Sequence, residues 1–454
     1  SELFNEVEVL AAKEVIEEQS DSIEVPAHTR RRGKREPLPD HLPREEVIID
    51  LPENEKICAK DGSSLKEIGA EVSEQLDIIP AQVKVIRTIR KKYVCACCEK
   101  AGETNIKTAP LPESILPKSN ATAGILAYIA TSKYVDALPM YRLEQIFKRY
   151  SVEIPRNTMC RWMIALTEKL TPLYNMMEED LLASDYIGCD ETRVHVLNEA
   201  GKDPQDMSYM WVRTRHGPEV RPIVLFDYDP TRSKDVPNKL LKGFKGYLQA
   251  DGYAAYDEVC KDPDVTRVGC MAHVRRKFFD VFKATKEKSK AAQHVLLLIK
   301  SLYKVEKEIE DKSSDSRKQT RLEKSKPILD EIKTWLDANQ NHSSGLMSKA
   351  ITYATNQWKY VINYLKDGRL EIDNNFTENR IRPFAIGRKN WLFSNSVAGA
   401  RASAMIYSIL QSARGNGLEP YAYMRYLLTE LPKCITAEPI EKLLPHKIDN
   451  KLLK

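Results

Sequence analysis

The feature that most constrains the fold is a change in hydrophobic period near residue 184. Upstream, apolar residues recur every three or four positions in ATAGILAYIATSKYVDALPMYRLEQIFKRY and RNTMCRWMIALTEKL, which predicts amphipathic helices. Downstream, they alternate or run together over short stretches in YIGCDETRVHVL, MSYMWVRTR and VRPIVLFDY, which predicts three strands. GYLQADGYAAYDEV and VTRVGCMAHVRRKF then each place a short apolar strand before a helix. This order predicts an α/β core built on a mixed sheet.

The composition is that of a globular protein and excludes a membrane-spanning one. The 454 residues are 42% hydrophobic and 30% charged, which is enough chain for about two to four domains. No apolar run reaches the roughly 18 residues that a membrane helix needs. The start, SELFNEVEVL, has neither the basic nor the apolar region of a secretory signal, so a cytoplasmic location is expected. The net charge of +5 is too mild to indicate a nucleic-acid partner without local clustering.

Changes in periodicity and charge divide the chain into segments. A long, Lys-rich helical stretch separates the strand region from the last motifs, and it is typical of an insertion into the core. The expected segments are a charged, Pro-rich extended arm (1–54), a small cysteine-bearing domain (55–108), a helical domain (109–183), the first part of the core (184–279), a helical insertion (280–366), the last part of the core (367–435) and a C-terminal tail (436–454).

Two aspartates stand where the chain leaves a predicted strand. Asp190 closes YIGCD and Asp251 follows GYLQA, so both carboxylates are expected at strand ends on one rim of the sheet. Glu378, in DNNFTENR, stands where a helix start is expected. Together they would form an oxygen-rich site suited to Mg²⁺ or Mn²⁺. Such a site suits phosphodiester cleavage, in which one ion activates the attacking oxygen and a second stabilises the leaving oxygen.

Each acid taken alone also has a plainer interpretation. A carboxylate at these positions is commonly a cap or a solvated charge, and Glu378 among arginines is similar to a surface ion pair. Glu191 is expected to point to the opposite side of its strand from Asp190. Asp373 is the strongest rival to Glu378, although it could instead cap the same helix. Other acids close to these elements are Asp185, Asp227, Asp229 and Asp257.

Basic residues cluster in two of the motifs, CMAHVRRKFF and ENRIRPFAIGRKNW. Cations next to a cleavage site would hold DNA phosphates near the scissile bond. A lone histidine is more often structural, and Trp391 could either stack on an unpaired base or lie in the core. The candidates for DNA contact in these two motifs are His273, Arg275, Arg276, Arg382, Arg388 and Lys389.

The segment YRLEQIFKRYSVEIPRNTMCRWMIAL has two helices joined by a short turn. Arg156 and Asn157 open the second helix, the position from which a helix-turn-helix reaches base edges. Many helix pairs share this pattern, so it is weak by itself. Upstream, the basic run at 30–35 could lie along phosphates or be a solvated linker.

Nine cysteines, an odd number, argue against a disulfide framework, but four positions have the spacing of a metal site. Cys95 and Cys98 form a C-x₂-C pair, and Cys58 and Asp61 would complete the set from an upstream arm. Asp61 stands where a second cysteine would make a four-cysteine zinc site. The alternative is a small β-rich domain with reduced thiols and no ion.

The strings around these residues resemble one family of bacterial DDE transposases, the insertion sequence 66 family. They are GCDETRVHVL, LQADGYAAYD, GCMAHVRRKFFD, IDNNFTENRIRPFAIGRKNWLFSNS and SARGNGLEPYAYMRYLLTELP, and with the upstream segments they cover about residues 40–435 in order. In that family the first Asp stands in the DET string, the second in ADGY and the Glu in NNxxEN, which correspond to Asp190, Asp251 and Glu378.

The resemblance implies an RNase H-like mixed-sheet core with a large helical insertion, preceded by a zinc-type domain and a helical DNA-binding domain. It implies Mg²⁺ or Mn²⁺ at the acids, and structural zinc at Cys58, Asp61, Cys95 and Cys98. The expected partners are the ends of the mobile element, target DNA, a second copy of the chain in a dimer or larger synaptic complex, and accessory proteins of the element. The expected location is the bacterial cytoplasm, in association with the nucleoid. A leucine zipper is common in the family, but no heptad repeat precedes residue 30.

The expected function is cleavage of DNA at the element ends and transfer of the freed 3′-OH to target DNA. Two alternatives stay open: a DNA-binding regulator with an inactive core, and a nuclease or Holliday-junction enzyme that cuts without joining. All three acidic positions are filled, which favours an enzyme over an inactive relic.

Overall fold

The computed structural model describes residues 43–52, 56, 60, 63–66, 68–76, 81–94, 106–217, 220–340 and 345–453. These residues fall into two compact units, one that ends at Ile86 and one that begins at Arg87. The four expected zinc ligands lie outside the described residues, as does the basic run at 30–35. In the first unit, Arg44 pairs with Glu74 at 3.1 Å.

The second unit alternates helices and strands as the periodicity predicts. Its strands are β1 (Lys92–Val94), β2 (Ile106–Thr108), β3 (Tyr186–Asn198), β4 (Met207–Arg215), β5 (Ile223–Asp229), β6 (Gly246–Gln249), β7 (Val265–Val268) and β8 (Ser394–Ser396). Its α-helices are α1 (Ala123–Tyr134), α2 (Met140–Arg149), α3 (Arg156–Leu182), α4 (Asp235–Leu240), α5 (Tyr256–Val259), α6 (Met271–Ala284), α7 (Lys290–Glu308), α8 (Ser314–Thr320), α9 (Lys326–Ala338), α10 (Gly345–Val361), α11 (Asn375–Trp391), α12 (Val397–Gly415), α13 (Pro420–Glu430) and α14 (Ala437–Glu441).

The central sheet is mixed, with strand order β5-β4-β3-β6-β7. The short strand β8 pairs with the C-terminal end of β3. The first three strands are antiparallel, whereas β3, β6 and β7 are parallel. The first four residues of β3 and of β5 are all buried, and successive residues of a strand point to opposite faces, so both faces of the sheet are covered at this end. The predicted RNase H-like mixed sheet is confirmed.

The outer edge of β5 is covered rather than left open. Ser412 and Ser408 of α12 accept hydrogen bonds from the backbone N–H groups of Val224 and Phe226, at 2.8 and 2.7 Å. Buried serines therefore satisfy donors that would otherwise be free to pair with another strand.

Helix α3 is longer than the helix that the sequence pattern predicts, which ends at Leu170. Its second half continues with Leu173, Met177 and Leu181, which share one buried face at helical spacing. Tyr174 of this half donates to Asp227 of β5 at 2.8 Å. The helix therefore joins the expected helix-turn-helix pair to the sheet.

Helices α7 to α10 lie within residues 280–366, where the insertion is expected. Arg321 is fully buried there, pairs with Glu306 at 2.6 Å, and donates to the carbonyls of Tyr364 and Asp367. It thereby ties the insertion to the segment that leads into α11. Among the described residues, no helix is both long and apolar enough to cross a membrane.

Candidate active site

The register of the parallel strands brings Asp190 and Asp251 to the same level. Gly188 of β3 pairs with Gln249, the last residue of β6. Asp190 and Asp251 each lie two residues further along their chains. Asp251 thus follows its strand as expected, but Asp190 lies inside β3 rather than at its end. The difference arises because β3 keeps pairing with β4 after its pairing with β6 has stopped.

Two hydrogen bonds and the absence of a side chain at Gly188 dock the start of α11, which carries Glu378, against β3 and β4. Asn374 donates from Nδ2 to the Cys189 carbonyl at 2.9 Å. Thr377 shares a 2.8 Å hydrogen bond with Thr214 of β4. Gly188 makes this approach possible, because a Cβ there would overlap Thr377 Oγ1. Glu378 is consequently buried in the first turn of α11, as the sequence predicts.

The charges of the three acids act on one another. Burial raises the pKa of Asp190 well above its usual range, and the neighbouring carboxylates of Glu191, Asp251 and Glu378 raise it further. Burial also raises the pKa of Glu378 to about 7, although the Arg276 guanidinium opposes the shift. A carboxylate cluster of this kind is at its least favourable when it is ionised and holds no cation.

His273, in the first turn of α6, faces Glu378. Its Nδ1 lies 3.7 Å from Glu378 Oε1, too far for a hydrogen bond, and neither of these buried atoms has a hydrogen-bond partner among the described residues. Burial lowers the pKa of His273 to about 4, so the imidazole is neutral at pH 7. Cys270 lies in the same cluster, because one possible ligand atom from each of the three residues lies within 4.8 Å of the others.

The donor set fits a divalent cation. Orphaned buried polar atoms cost free energy, and a cation would satisfy Glu378 Oε1 while it relieves the repulsion on Asp190. Carboxylate oxygens are the preferred ligands of Mg²⁺ and Mn²⁺. The residues that would hold the ions are Asp190, Asp251 and Glu378.

Two neighbouring acids, Glu191 and the stronger rival Asp373, have partners of their own. Glu191 is buried, pairs with Arg232 and accepts a 2.9 Å hydrogen bond from Tyr256. Asp373 accepts hydrogen bonds from Tyr303 at 2.7 Å and from the backbone N–H of Asn375 at 3.0 Å. Glu378 Oε1, by contrast, is buried with no hydrogen-bond partner among the described residues.

The candidate DNA contacts separate into two groups. Arg276 and Arg382 lie close enough to Glu378 to lower its pKa, so they belong to the acid cluster. Arg275 packs instead over the ring of Phe279, 5.7 Å from its centroid. Lys389 is exposed near the other end of α11.

Two other sequence candidates have structural contacts of their own. Arg388 donates to the carbonyl of Arg193 and so anchors α11 to β3. Trp391 packs edge-to-face on Phe384 with ring centroids 5.3 Å apart, which agrees with the interpretation as a core side chain.

Arg156 and Asn157 lie at the exposed start of α3. The contact of Tyr174 with the sheet is about 27 Å further along the helix, at about 1.5 Å per residue. These two residues therefore lie at the end of α3 that is distant from its contact with the sheet.

Sequence reasoning missed the residues that position Glu378. Asn374 and Thr377 lie inside the quoted string DNNFTENR, but only the fold shows that they contact β3 and β4. Tyr303 has no local signal, because its partner Asp373 is 70 residues away. Cys270 stands three residues before His273, a spacing that could have drawn attention to it.

Comparison with known proteins finds four models of one transposase family along the chain. The model described as "Transposase IS66 family" matches residues 118–402. The model for the zinc-finger binding domain of the same transposases matches 55–99, and the model for their C-terminal element matches 408–446. A fourth, the leucine-zipper element described as "Transposase C of IS166 homeodomain", matches 2–47. The chain therefore carries the family's N-terminal element, although no heptad repeat is visible before residue 30.

Relatives along nearly the whole chain are proteins of Sinorhizobium fredii. One, y4jD, is 33% identical over 90% of this chain and 81% of its own length. A second, y4qI, is 33% identical over 91% of this chain and 78% of its own length. Both are described only as uncharacterised. With its mixed-sheet core, its acid cluster and its zinc-finger segment, the chain belongs to the IS66 family of DDE transposases.

Proposed function

We propose that this protein cuts DNA at the ends of its mobile element and joins the freed 3′-OH to target DNA. The observation that carries the proposal is that Asp190 in β3, Asp251 after β6 and Glu378 in α11 lie close enough for their charges to act on one another. The raised pKa values of Asp190 and Glu378 are typical of carboxylates that are held together to bind a metal ion.

The chain's own residues would perform three tasks. Asp190 and Asp251 would hold divalent ions throughout, and Glu378 would complete the second ion's site. When bound, such ions activate the attacking oxygen and stabilise the leaving oxygen. Arg276 and Arg382 would place the scissile phosphate beside the acids, with the neutral His273 next to it.

Other parts of the chain would bind DNA and a second subunit. In this proposal Arg156 and Asn157 contact the element end, together with the flanking candidates Arg275, Arg388 and Lys389. Zinc would be held in 55–108 by Cys58, Cys95 and Cys98, with Asp61 as the fourth ligand. Two element ends must be brought together, which requires a dimer or larger complex at the nucleoid, with accessory proteins of the element. We also propose that the chain is divided at the segment boundaries expected from the sequence.

The experiment is a strand-cleavage and strand-transfer assay on duplexes that carry the element's terminal repeats. With Mg²⁺ or Mn²⁺ we expect both nicking at the repeat end and covalent joining to a second duplex, and neither product in EDTA. Nicking without joining would favour the nuclease alternative. Tight binding without nicking, with the accessory proteins of the element supplied, would favour the inactive regulator.

A further inference from the structure

The turn between α11 and β8 presents two exposed apolar side chains. Leu392 and Phe393 are 61% and 44% exposed, although both are large and hydrophobic. Together they form a small exposed apolar tip. The turn does not belong to the acid cluster, and the cleavage chemistry gives it no role.

The backbone of the turn is strained and firmly held. Leu392 has φ 65° and ψ −50°, and the Phe393 N–H donates to the Trp391 carbonyl at 2.8 Å. This is the γ-turn with positive φ, a rare and unfavourable conformation for a residue with a side chain. On one side Arg388 anchors α11 to the carbonyl of Arg193. On the other, Ser394 pairs with Val196.

The surroundings of the turn are positively charged. Arg193 and Lys389 are exposed, and Arg388 is half-buried. Among the residues that the structure describes, no carboxylate forms an ion pair with any of the three. Burial lowers the pKa of Arg388, and the neighbouring cation of Arg193 lowers it further. An uncompensated cationic surface around an apolar tip is complementary to a phosphate backbone with base pairs behind it.

The turn also lies at a fixed distance from the acids. Glu378 is in the first turn of α11 and Leu392 follows its last residue, so about 20 Å of helix separates them. Duplex DNA rises about 3.4 Å per base pair, which makes this span about six base pairs.

We propose that the strained turn Leu392–Phe393 is a wedge that inserts between base pairs of the bound duplex, about six base pairs from the scissile phosphate. Apolar side chains inserted at a base step unstack it and bend the DNA, which allows more of the duplex to contact protein. The inference rests on the proposed function, since it takes the acid cluster as the place where the strand is cut.

The test measures base unstacking in DNA that carries 2-aminopurine, whose fluorescence rises when stacking is lost. The protein is the full chain with Asp190→Asn, so that the duplex stays intact, and the probe is moved base by base through a terminal-repeat duplex and an unrelated duplex. Fluorescence is expected to rise near the sixth base pair from the cleavage position. A rise in the terminal duplex alone assigns the wedge to the element end, and a rise in both assigns it to DNA in general.

The variants separate a wedge from a structural turn. Phe393→Ala should abolish the fluorescence rise and weaken binding about tenfold, the size of one lost base–aromatic contact. Leu392→Gly should also abolish the rise while it raises the melting temperature, because glycine tolerates positive φ. Leu297→Ala is the matched control, since it removes an equally exposed leucine, 55% accessible, from α7 and should change neither signal.

Two outcomes would overturn the proposal. One is a fluorescence profile that is the same in Phe393→Ala and its parent. The other is a change in oligomeric state in Phe393→Ala with an unchanged profile, which would assign the turn to a protein interface. Failure of the proposed function would be seen separately, as absence of cleavage by the wild-type protein in the presence of metal, because the fluorescence readout requires binding alone.

Discussion

Asp190→Asn is expected to abolish strand cleavage and, at the same time, to make the metal-free protein more stable. Asp190 is held beside the carboxylates of Asp251 and Glu378 and is costly to keep charged. An amide of the same shape removes that cost but cannot replace a carboxylate as a metal ligand. Metal-ion stabilisation is worth several kcal/mol, so the cleavage rate should fall by about 10³-fold or more.

The gain in stability of the metal-free Asp190→Asn variant should depend on pH in a definite direction. The pKa of Asp190 is raised on folding, so its ionisation destabilises the folded state at every pH above the unfolded value of about 3.9. In EDTA, the melting temperature of Asp190→Asn should therefore exceed that of the wild type at pH 7. The difference should disappear as the pH falls toward 4.

The control is Asp185→Asn, which removes a 61% exposed carboxylate just before β3. Its cleavage rate and melting temperature should stay close to those of the wild type. Normal cleavage by Asp190→Asn, or a lower melting temperature at pH 7, would contradict the assignment of Asp190 to the metal site.

Gly188→Ala is expected to separate α11 from β3 and so to misplace Glu378. The new methyl group would overlap Thr377 Oγ1 and lie 2.8 Å from Thr214 Oγ1. Overpacking of a buried site typically costs about 1–3 kcal/mol of unfolding free energy. A misplacement of about 1 Å costs about 10²-fold in rate, so cleavage should fall more than stability alone explains.

A second substitution tests whether the overlap with Thr377 is the cause. Thr377→Ala removes the overlapping atom, so the double variant should recover part of the cleavage rate that Gly188→Ala loses. Gly124→Ala is the matched control, because a Cβ there meets no atom nearer than 3.6 Å. Strictly additive losses in the double variant would show that the docking of α11 does not depend on this contact.

The sequence allowed the central sheet and two of the three acid positions to be predicted in detail. The strands β3, β4 and β5 follow from alternation, and Asp251 lies after its strand as expected. Glu378 lies in a first helical turn because polar residues precede an apolar helical pattern there. These features depend on residues that are close in sequence, so the hydrophobic pattern is enough to predict them.

The features that the sequence could not supply depend on distant contacts. The interior position of Asp190 follows from β3 pairing further with β4 than with β6. The extension of α3 past Pro172 is stabilised by packing against the sheet, which outweighs a helix breaker. The docking of α11 by Asn374 joins residues 185 positions apart. The zinc ligands stay a prediction, since they lie outside the described residues.

The most direct test of the central claim is electron paramagnetic resonance of Mn²⁺ bound to the zinc-loaded protein with an uncleavable terminal duplex. For the wild type, the account predicts exchange coupling between two Mn²⁺ ions about 3.5–4 Å apart. The coupling should be absent in Glu378→Gln, which lacks the second site. Isolated Mn²⁺ signals of equal intensity in both proteins would contradict the assignment of Asp190, Asp251 and Glu378 as a two-metal site.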